Sequence, residues 1–99
     1  MNYTQEQVEL FDKIFNFCIQ KRQANCSCNL FIKLYKPERE SAEFAYNAVC
    51  KIGHEVGFFT SCHFSNGDWG IVSIDYVKSQ LFKTEGGFAG YFKKQFIDQ

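Results

Sequence analysis

Sulfur and imidazole side chains are the groups in this 99-residue chain whose spacing first suggests chemistry. Cys26 and Cys28 are separated by a single residue. Cys50 precedes His54 by about one helical turn, and both point away from the apolar stripe of the helix expected there. Two ligands one helical turn apart can bind the same zinc ion. One hypothesis is therefore a small zinc-binding protein that uses Cys26, Cys28, Cys50 and His54.

The same spacing also argues against a metal. Structural zinc sites commonly contain cysteines separated by two residues, and the sequence has no such pair. Cysteine is among the residue types most often buried without a special role. An alternating pattern would place Cys26 and Cys28 on one strand face with Leu30, which is typical of core side chains. We therefore favour packing for the cysteines and predict no bound metal or other cofactor.

The spacing of the candidate residues gives little support for a catalytic site. Cys62 and His63 are adjacent, and neighbouring strand residues point to opposite faces, so they cannot act together as nucleophile and base. Asp75 is a single candidate carboxylate, whereas a metal-dependent site needs several that converge. The glycine-rich stretch 85–90 lacks the GxGxxG spacing and the GK[ST] ending of phosphate-binding loops. The sequence therefore predicts a protein that is not an enzyme.

The charge balance disfavours a general attraction to nucleic acid. Eleven basic residues are matched by eleven acidic ones, so the formal net charge is +0. Nucleic-acid binding depends on positive charge that displaces counterions, and no run of Lys and Arg supplies it. A nucleic-acid-binding domain stays open as an alternative, because the chain is 18% aromatic and aromatic rings can stack on bases.

Composition and the first residues predict a cytoplasmic protein made of one domain. A length of 99 residues with 45% hydrophobic content fits a single compact domain over residues 1–99. The chain starts with acids and amides rather than with the basic residues and apolar run of a secretory signal. No stretch approaches the ~18 apolar residues that cross a bilayer. We expect reduced thiols and no membrane contact.

Local patterns predict the elements that must position these groups. Thr4 and Gln7 fit a capping box at the start of a first helix. The apolar stripe of that helix is wide enough to contact two neighbouring elements or a second chain. Residues 28–35 alternate between two faces, which predicts the first strand, and the stripe over 42–56 predicts the second helix.

The clearest signal is a hairpin over residues 57–76, because Asn66-Gly67 favours a type I′ turn. The predicted register pairs Phe64 with Trp69, Cys62 with Ile71, Ser61 with Val72 and Phe59 with Ile74. Phe59 and Cys62 then lie on opposite faces. The face near the turn carries an apolar patch, and the predicted partner-binding residues are Phe64, Trp69, Ile71 and Cys62.

Together these elements predict an α+β fold. The expected order is helix, strand, helix, strand, strand, helix, with Phe88, Phe92 and Phe96 in the last helix. A crossover from the first strand to the second, with the third strand returning between them, gives a small, mainly antiparallel sheet of order 1-3-2 packed against helices. Residues 77–83 fit either a helical turn or an edge strand.

A small, neutral, aromatic-rich domain without catalytic motifs favours a role in protein interaction. We expect an adaptor, inhibitor or accessory factor, a group that includes proteins encoded by phages and mobile elements. The partner would be another protein or a second copy of the chain, bound through apolar and aromatic surface. A homodimer would bury the wide stripe of the first helix together with the hairpin patch.

Overall fold

Helices and short strands follow one another along the computed structural model, which describes residues 3–20, 26–65 and 67–97, without the side chains of 63–65, 69, 71, 72 and 94–97. In chain order the elements are α1 (Gln5–Gln20), β1 (Cys26–Ser27), α2 (Cys28–Tyr35), α3 (Arg39–Val56), β2 (Phe59–Ser65), β3 (Asp68–Ile74), α4 (Tyr76–Thr84) and α5 (Gly87–Ile97). The sheet order is β1-β3-β2, and β3 pairs antiparallel with both neighbours. The predicted α+β class and strand order 1-3-2 are confirmed.

α1 begins with the predicted capping box. The Thr4 amide donates to Gln7 Oε1 at 2.9 Å, and the Gln7 amide donates to Thr4 Oγ1 at 3.1 Å. The helix contacts both α3 and α5 and buries most of its wide apolar stripe. The width of the stripe is therefore explained by contacts within one chain.

The strand predicted over residues 28–35 is wrong. These residues form α2, and β1 is limited to Cys26–Ser27. The order of elements thus differs from the prediction, because a helix replaces most of the first strand and α4 precedes the last helix. Cys28 and Phe31 lie three positions apart and are both buried, so helical spacing fits this segment as well as alternation does.

Two side-chain caps favour the helix over the strand. Ser27 Oγ accepts the amide proton of Leu30 at 3.0 Å. Asp68 Oδ1, from the start of β3, accepts the amide proton of Asn29 at 3.0 Å. Amides in the first turn of a helix have no partner within the helix, so these bonds stabilise α2 at its N-terminus.

The hairpin has the predicted register near its turn. The observed pairs include Phe64 with Trp69, Cys62 with Ile71 and Phe59 with Ile74. Ser61 pairs with Ser73 rather than with Val72, because the register shifts on both sides of Ser61. Gly67 has φ 75°, the left-handed conformation that its place in the turn requires, and Asn66 lies outside the described residues.

Residues 77–83, for which the sequence allowed a helix or an edge strand, belong to α4. Asp75 caps this helix by accepting an amide proton of its first turn at 3.0 Å. α5 begins at Gly87, where φ is 64° and a Cβ would lie 2.6 Å from Asp12 Oδ1. Asp12 accepts the Phe88 amide proton at 2.8 Å, which fixes the start of α5 to α1.

Phenylalanine rings fill the space between α1, α4, α5 and the start of β2. The Phe15 ring lies 5.0 Å from that of Phe58 and 5.3 Å from that of Phe82. Phe88 lies 5.0 Å from Phe82. Edge-to-face contacts of this kind add to the stabilisation from burial. Within the described ranges, no helix is both long enough and apolar enough to cross a membrane.

Candidate functional site

The five cysteines are buried or half-buried on elements that pack around α3 and the sheet. They come from five different elements, and each interacts with at least one other member of the group. The Tyr46 hydroxyl lies among them. We call this group the thiol cluster, and its members are Cys18 (α1), Cys26 (β1), Cys28 (α2), Tyr46 and Cys50 (α3) and Cys62 (β2).

The sheet register positions two of these cysteines. Ile71 of the central strand pairs with Cys26 on one side and with Cys62 on the other. Directly paired residues of an antiparallel sheet point to the same face, so the two cysteines share the face toward α3. Tyr46 and Cys50 lie one turn apart on α3, and Tyr46 Oη donates to a carbonyl of β1 at 3.2 Å. This bond ties α3 to the sheet beside the cluster.

Cys18 and Cys26 form the inner pair of the cluster. Both are fully buried, and the Cys26 thiol donates to the Cys18 carbonyl oxygen at 3.4 Å. Burial raises the pKa of the Cys18 thiol well above its usual range, and the Cys26 thiol raises it further. Because the thiolate is the reactive form of cysteine, burial and protonation together make Cys18 inert.

Cys50 and Cys62 form the outer pair. These two residues come from α3 and β2, which pack against each other. The interaction with Cys50 lowers the pKa of Cys62, although partial burial acts in the opposite direction. The interaction with Cys62 raises the pKa of the Cys50 thiol, and burial adds to the effect. Cys62 is half-buried while Cys50 is 5% exposed, so solvent reaches the cluster mainly at Cys62.

The other two members of the cluster resist ionisation. Burial raises the pKa of Cys28 to about 11, and the negative charges of Asp68 and Glu43 contribute. Burial is also the main reason for the raised pKa of Tyr46, and the surrounding thiols add to it. Cys62 differs from Cys18, Cys28 and Cys50 in the direction of its pKa shift, which is downward.

The four candidate zinc ligands, Cys26, Cys28, Cys50 and His54, do not form one site. The three cysteines are buried, whereas His54 is exposed one turn beyond Cys50 along α3. Cys50 is buried, although the helical stripe had placed it facing away from the core. Among the residues that the structure describes, no group of three or more Cys, His, Asp or Glu side chains is arranged to hold a metal ion.

The backbone locates the predicted partner surface of the hairpin. The register places Phe64 opposite Trp69 and Cys62 opposite Ile71. The side chains of Phe64, Trp69 and Ile71 lie outside the described part of the structure. Cys62 is half-buried and packs against the core, so its side chain belongs to the thiol cluster.

α4 carries an apolar face that sequence reasoning missed. Val77 and Leu81 lie one turn apart with 81% and 58% of their surfaces exposed, and we call this pair the outward face of α4. The inward side carries Ser79, which is fully buried and whose hydroxyl has no hydrogen-bond partner among the described residues. α4 thus buries Phe82 as an ordinary surface helix would, but it also buries Ser79 and leaves two apolar side chains exposed. The available signal was Asp75, a good N-cap, followed by apolar residues four positions apart.

No protein family model, curated protein or solved structure matches this chain. A shared fold would in any case leave the function open, because function resides in sites rather than in folds. Two features of the described structure are candidates for such a site. They are the outward face of α4 and the thiol cluster.

Proposed function

We propose that this protein is a small protein-interaction module that associates with a second copy of itself through the outward face of α4. It would act as an adaptor, inhibitor or accessory factor without a catalytic site of its own. The observation that carries the proposal is the exposure of Val77 and Leu81, one turn apart on α4, with 81% and 58% of their surfaces open to solvent.

Packing on the inner side of α4 prevents the helix from turning its apolar residues inward. The Phe82 ring lies 4.5 Å from that of Phe58 and 5.0 Å from that of Phe88. Rotation that buried Val77 or Leu81 would remove Phe82 from the core, where burial of such a side chain contributes ~1.5–3 kcal/mol. The fold therefore keeps the outward face exposed until a partner covers it.

The charge balance supports association between copies of the chain. Eleven basic and eleven acidic residues give a net charge of +0, so two copies do not repel each other as strongly charged proteins do. A two-fold axis would place α4 of one copy against α4 of the other. Val77 and Leu81 of both copies would then be buried together, and each buried side chain contributes ~1.5–3 kcal/mol.

We place this module in the cytoplasm. Its five cysteines are free thiols, and thiols stay reduced in the cytosol, whereas small secreted domains commonly depend on disulfides. A reducing compartment keeps the thiol cluster in the state described above.

Sedimentation equilibrium of the wild type and of the double variant Val77→Gln with Leu81→Gln tests the proposal. Glutamine keeps a good helix propensity and adds no charge, so the change mainly removes apolar surface. Leu34→Gln is the matched control, because Leu34 is 53% exposed on α2. We expect the wild type and the control to form a dimer as concentration rises, and the double variant to stay monomeric.

A wild type that stays monomeric at high concentration would contradict the proposal, as would a dimer that persists in the double variant. Phe64→Ser with Trp69→Ser tests the hairpin surface in the same assay. Loss of the dimer in this hairpin variant alone would assign the interface to the hairpin. Far-UV circular dichroism of every variant verifies that its helices are retained.

A further inference from the structure

β2 forms one edge of the sheet, and its outer side offers a second binding surface. The sheet order is β1-β3-β2, so β2 has a strand neighbour on one side only. We propose that this edge binds an extended segment of another protein, which adds to the sheet as a further strand. The proposal does not depend on association through α4.

The register shows which backbone groups of β2 point away from β3. Ser65 pairs with Asp68 across a turn of two residues, and such a flanking pair exchanges hydrogen bonds in a hairpin. Bonded and unbonded residues alternate along an antiparallel pair, so the amides and carbonyls of Cys62 and Phe64 point to the outer side. Between the described residues, no backbone hydrogen bond joins this side to another element. Donors and acceptors spaced in this way are matched by a second extended strand.

β2 lacks the side chains that usually protect a sheet edge. Residues 59–65 contain no Lys, Arg, Asp, Glu or Pro. Natural proteins place charges or proline on exposed edges, or cover them, and so prevent unwanted strand pairing. The main neighbours of β2 are β3 and α3, and Thr60 and Ser61 at its start are exposed. Neither charge nor proline therefore opposes the addition of a strand to β2.

Cys62 specifies the chemistry of the bound segment. It packs against the hydrophobic core but is only half-buried. Directly opposite residues of an antiparallel pair lie on the same face, so a residue of the bound strand opposite Cys62 would lie beside the core. An apolar side chain there would cover Cys62, whereas a charged one would lose hydration without gaining a partner. We therefore expect a segment of alternating apolar and polar residues, with no charge beside Cys62.

The irregular register of β2 favours a flexible segment over a second copy of β2. The pairing with β3 shifts between Phe59 and Ser61 and again between Ser61 and Cys62. Such irregularities bend a strand, and a bent edge resists pairing with another rigid sheet. Two copies of β2 could pair regularly only over residues 62–65. A free segment belongs to no other sheet, so it can follow the bend at Ser61.

Two methylated peptides test whether the bound strand pairs with β2 through its backbone. The probe is a fluorescently labelled heptapeptide in which threonine and valine alternate, and fluorescence anisotropy measures its binding to the wild-type protein. N-methyl groups are placed on either the valine or the threonine amides, because alternate amides of a strand point to opposite sides. Antiparallel pairing with a valine opposite Cys62 directs the valine amides toward β2. We expect methylated valines to reduce the affinity by about tenfold or more, and methylated threonines by less than about twofold.

A substitution on β2 tests the same edge from the side of the protein. Phe64→Pro removes one outward amide and leaves the hydrogen bonds to β3 in place. We expect the affinity for the unmethylated peptide to fall by about three- to tenfold. Phe64→Val is the matched control, since valine keeps the amide and favours strands, and it should bind within about twofold of wild type. Far-UV circular dichroism verifies that both variants are folded.

Three results would overturn the proposal. The first is an unmethylated peptide that does not bind the wild type at about 1 mM protein. The second is equal affinity of the two methylated peptides. The third is self-association that is lost in Phe64→Pro and kept in Phe64→Val, which would assign the edge to a second copy of the chain. The α4 variant Val77→Gln with Leu81→Gln should bind the peptide as the wild type does, so this test stays separate from that of the dimer.

Discussion

The molecule has two buried regions whose side chains differ in chemistry. The first, which we call the phenylalanine half, joins α1, α4, α5 and the start of β2 through Phe15, Phe58, Phe82 and Phe88. The second is the thiol cluster, which lies between the end of α1, α3 and the sheet. Phenyl rings do not ionise, and mild oxidants do not attack them. Thiols can ionise, with a pKa that burial shifts, and they can be oxidised. One region is therefore suited to hold the fold and the other to respond to pH and oxidants.

The comparison also bears on the proposed association. The outward face of α4 is held in place by the phenylalanine half, because Phe82 anchors the opposite side of the helix. Val77 and Leu81 belong to neither buried region, so substitutions on the outward face should change association with little effect on the core.

The largest predicted effect is a difference in stability between the two regions. Phe15→Ala removes a ring that is almost fully buried, and we expect it to lower the free energy of unfolding by about 3–5 kcal/mol. Cys18→Ala, at a fully buried position on the same helix, removes a single heavy atom and should lower it by about 1 kcal/mol. Guanidinium unfolding curves of both variants measure the difference. Equal losses of free energy would show that the phenylalanine half contributes no more to stability than the thiol cluster does.

Alkaline pH should destabilise the protein through the thiol cluster. A thiol whose folded pKa lies above its unfolded value contributes stability that is complete below the unfolded pKa and is lost as pH rises through the folded pKa. Cys18, Cys28 and Cys50 are all shifted in this direction. We expect the free energy of unfolding to fall above about pH 8.5, by up to ~1.4 kcal/mol per pH unit for each thiol.

The opposite shift of Cys62 does not cancel this loss. Its depressed pKa contributes stability that is present above the unfolded pKa and is lost as pH falls through the folded pKa. Urea unfolding at several pH values measures the slope, with Cys28→Ser as the reference. The Cys28 contribution is lost between the ordinary thiol pKa of about 8.5 and its folded value of about 11, so the variant should show a shallower slope there. A slope that is unchanged in Cys28→Ser would contradict the assignment.

The smallest predicted effect is a gain in stability on the inner side of α4. Ser79→Ala removes a fully buried hydroxyl that has no partner among the described residues, and it should raise the free energy of unfolding by about 1 kcal/mol. Ser41→Ala, at an exposed position of α3, measures how much of the gain comes from helix propensity alone. A loss of stability in Ser79→Ala beyond that in Ser41→Ala would mean that the buried hydroxyl has a partner in the folded protein.

Sequence patterns predicted the parts of the fold whose signals are local. The capping box of α1 and the hairpin register near Gly67 each depend on residues a few positions apart. α2 was missed because its eight residues satisfy both periods, and its cap from Asp68 comes from a distant part of the chain. Such a contact exists only once the hairpin has folded, so local patterns could not supply it.

The candidate site was predicted in part. Cys26 and Cys28 were expected on a core face, and both are buried. The packing of Cys62 against the same core as Phe59 was not expected, because a regular hairpin puts these two residues on opposite faces. The register shift around Ser61 changes this, and both residues pack against the core. Irregularities of this kind depend on packing against α3 and have no clear signature in the strand sequence.

Amide hydrogen exchange at low and high protein concentration tests association through the outward face of α4 most directly. We predict that amides of α4 exchange more slowly as concentration rises, because the dimer covers Val77 and Leu81. Amides of α2, which carries the exposed Leu34 and Tyr35 but is not part of the proposed interface, should keep their rates. Protection that rises with concentration only in α2 or in the hairpin, or in no element, would contradict the proposed interface.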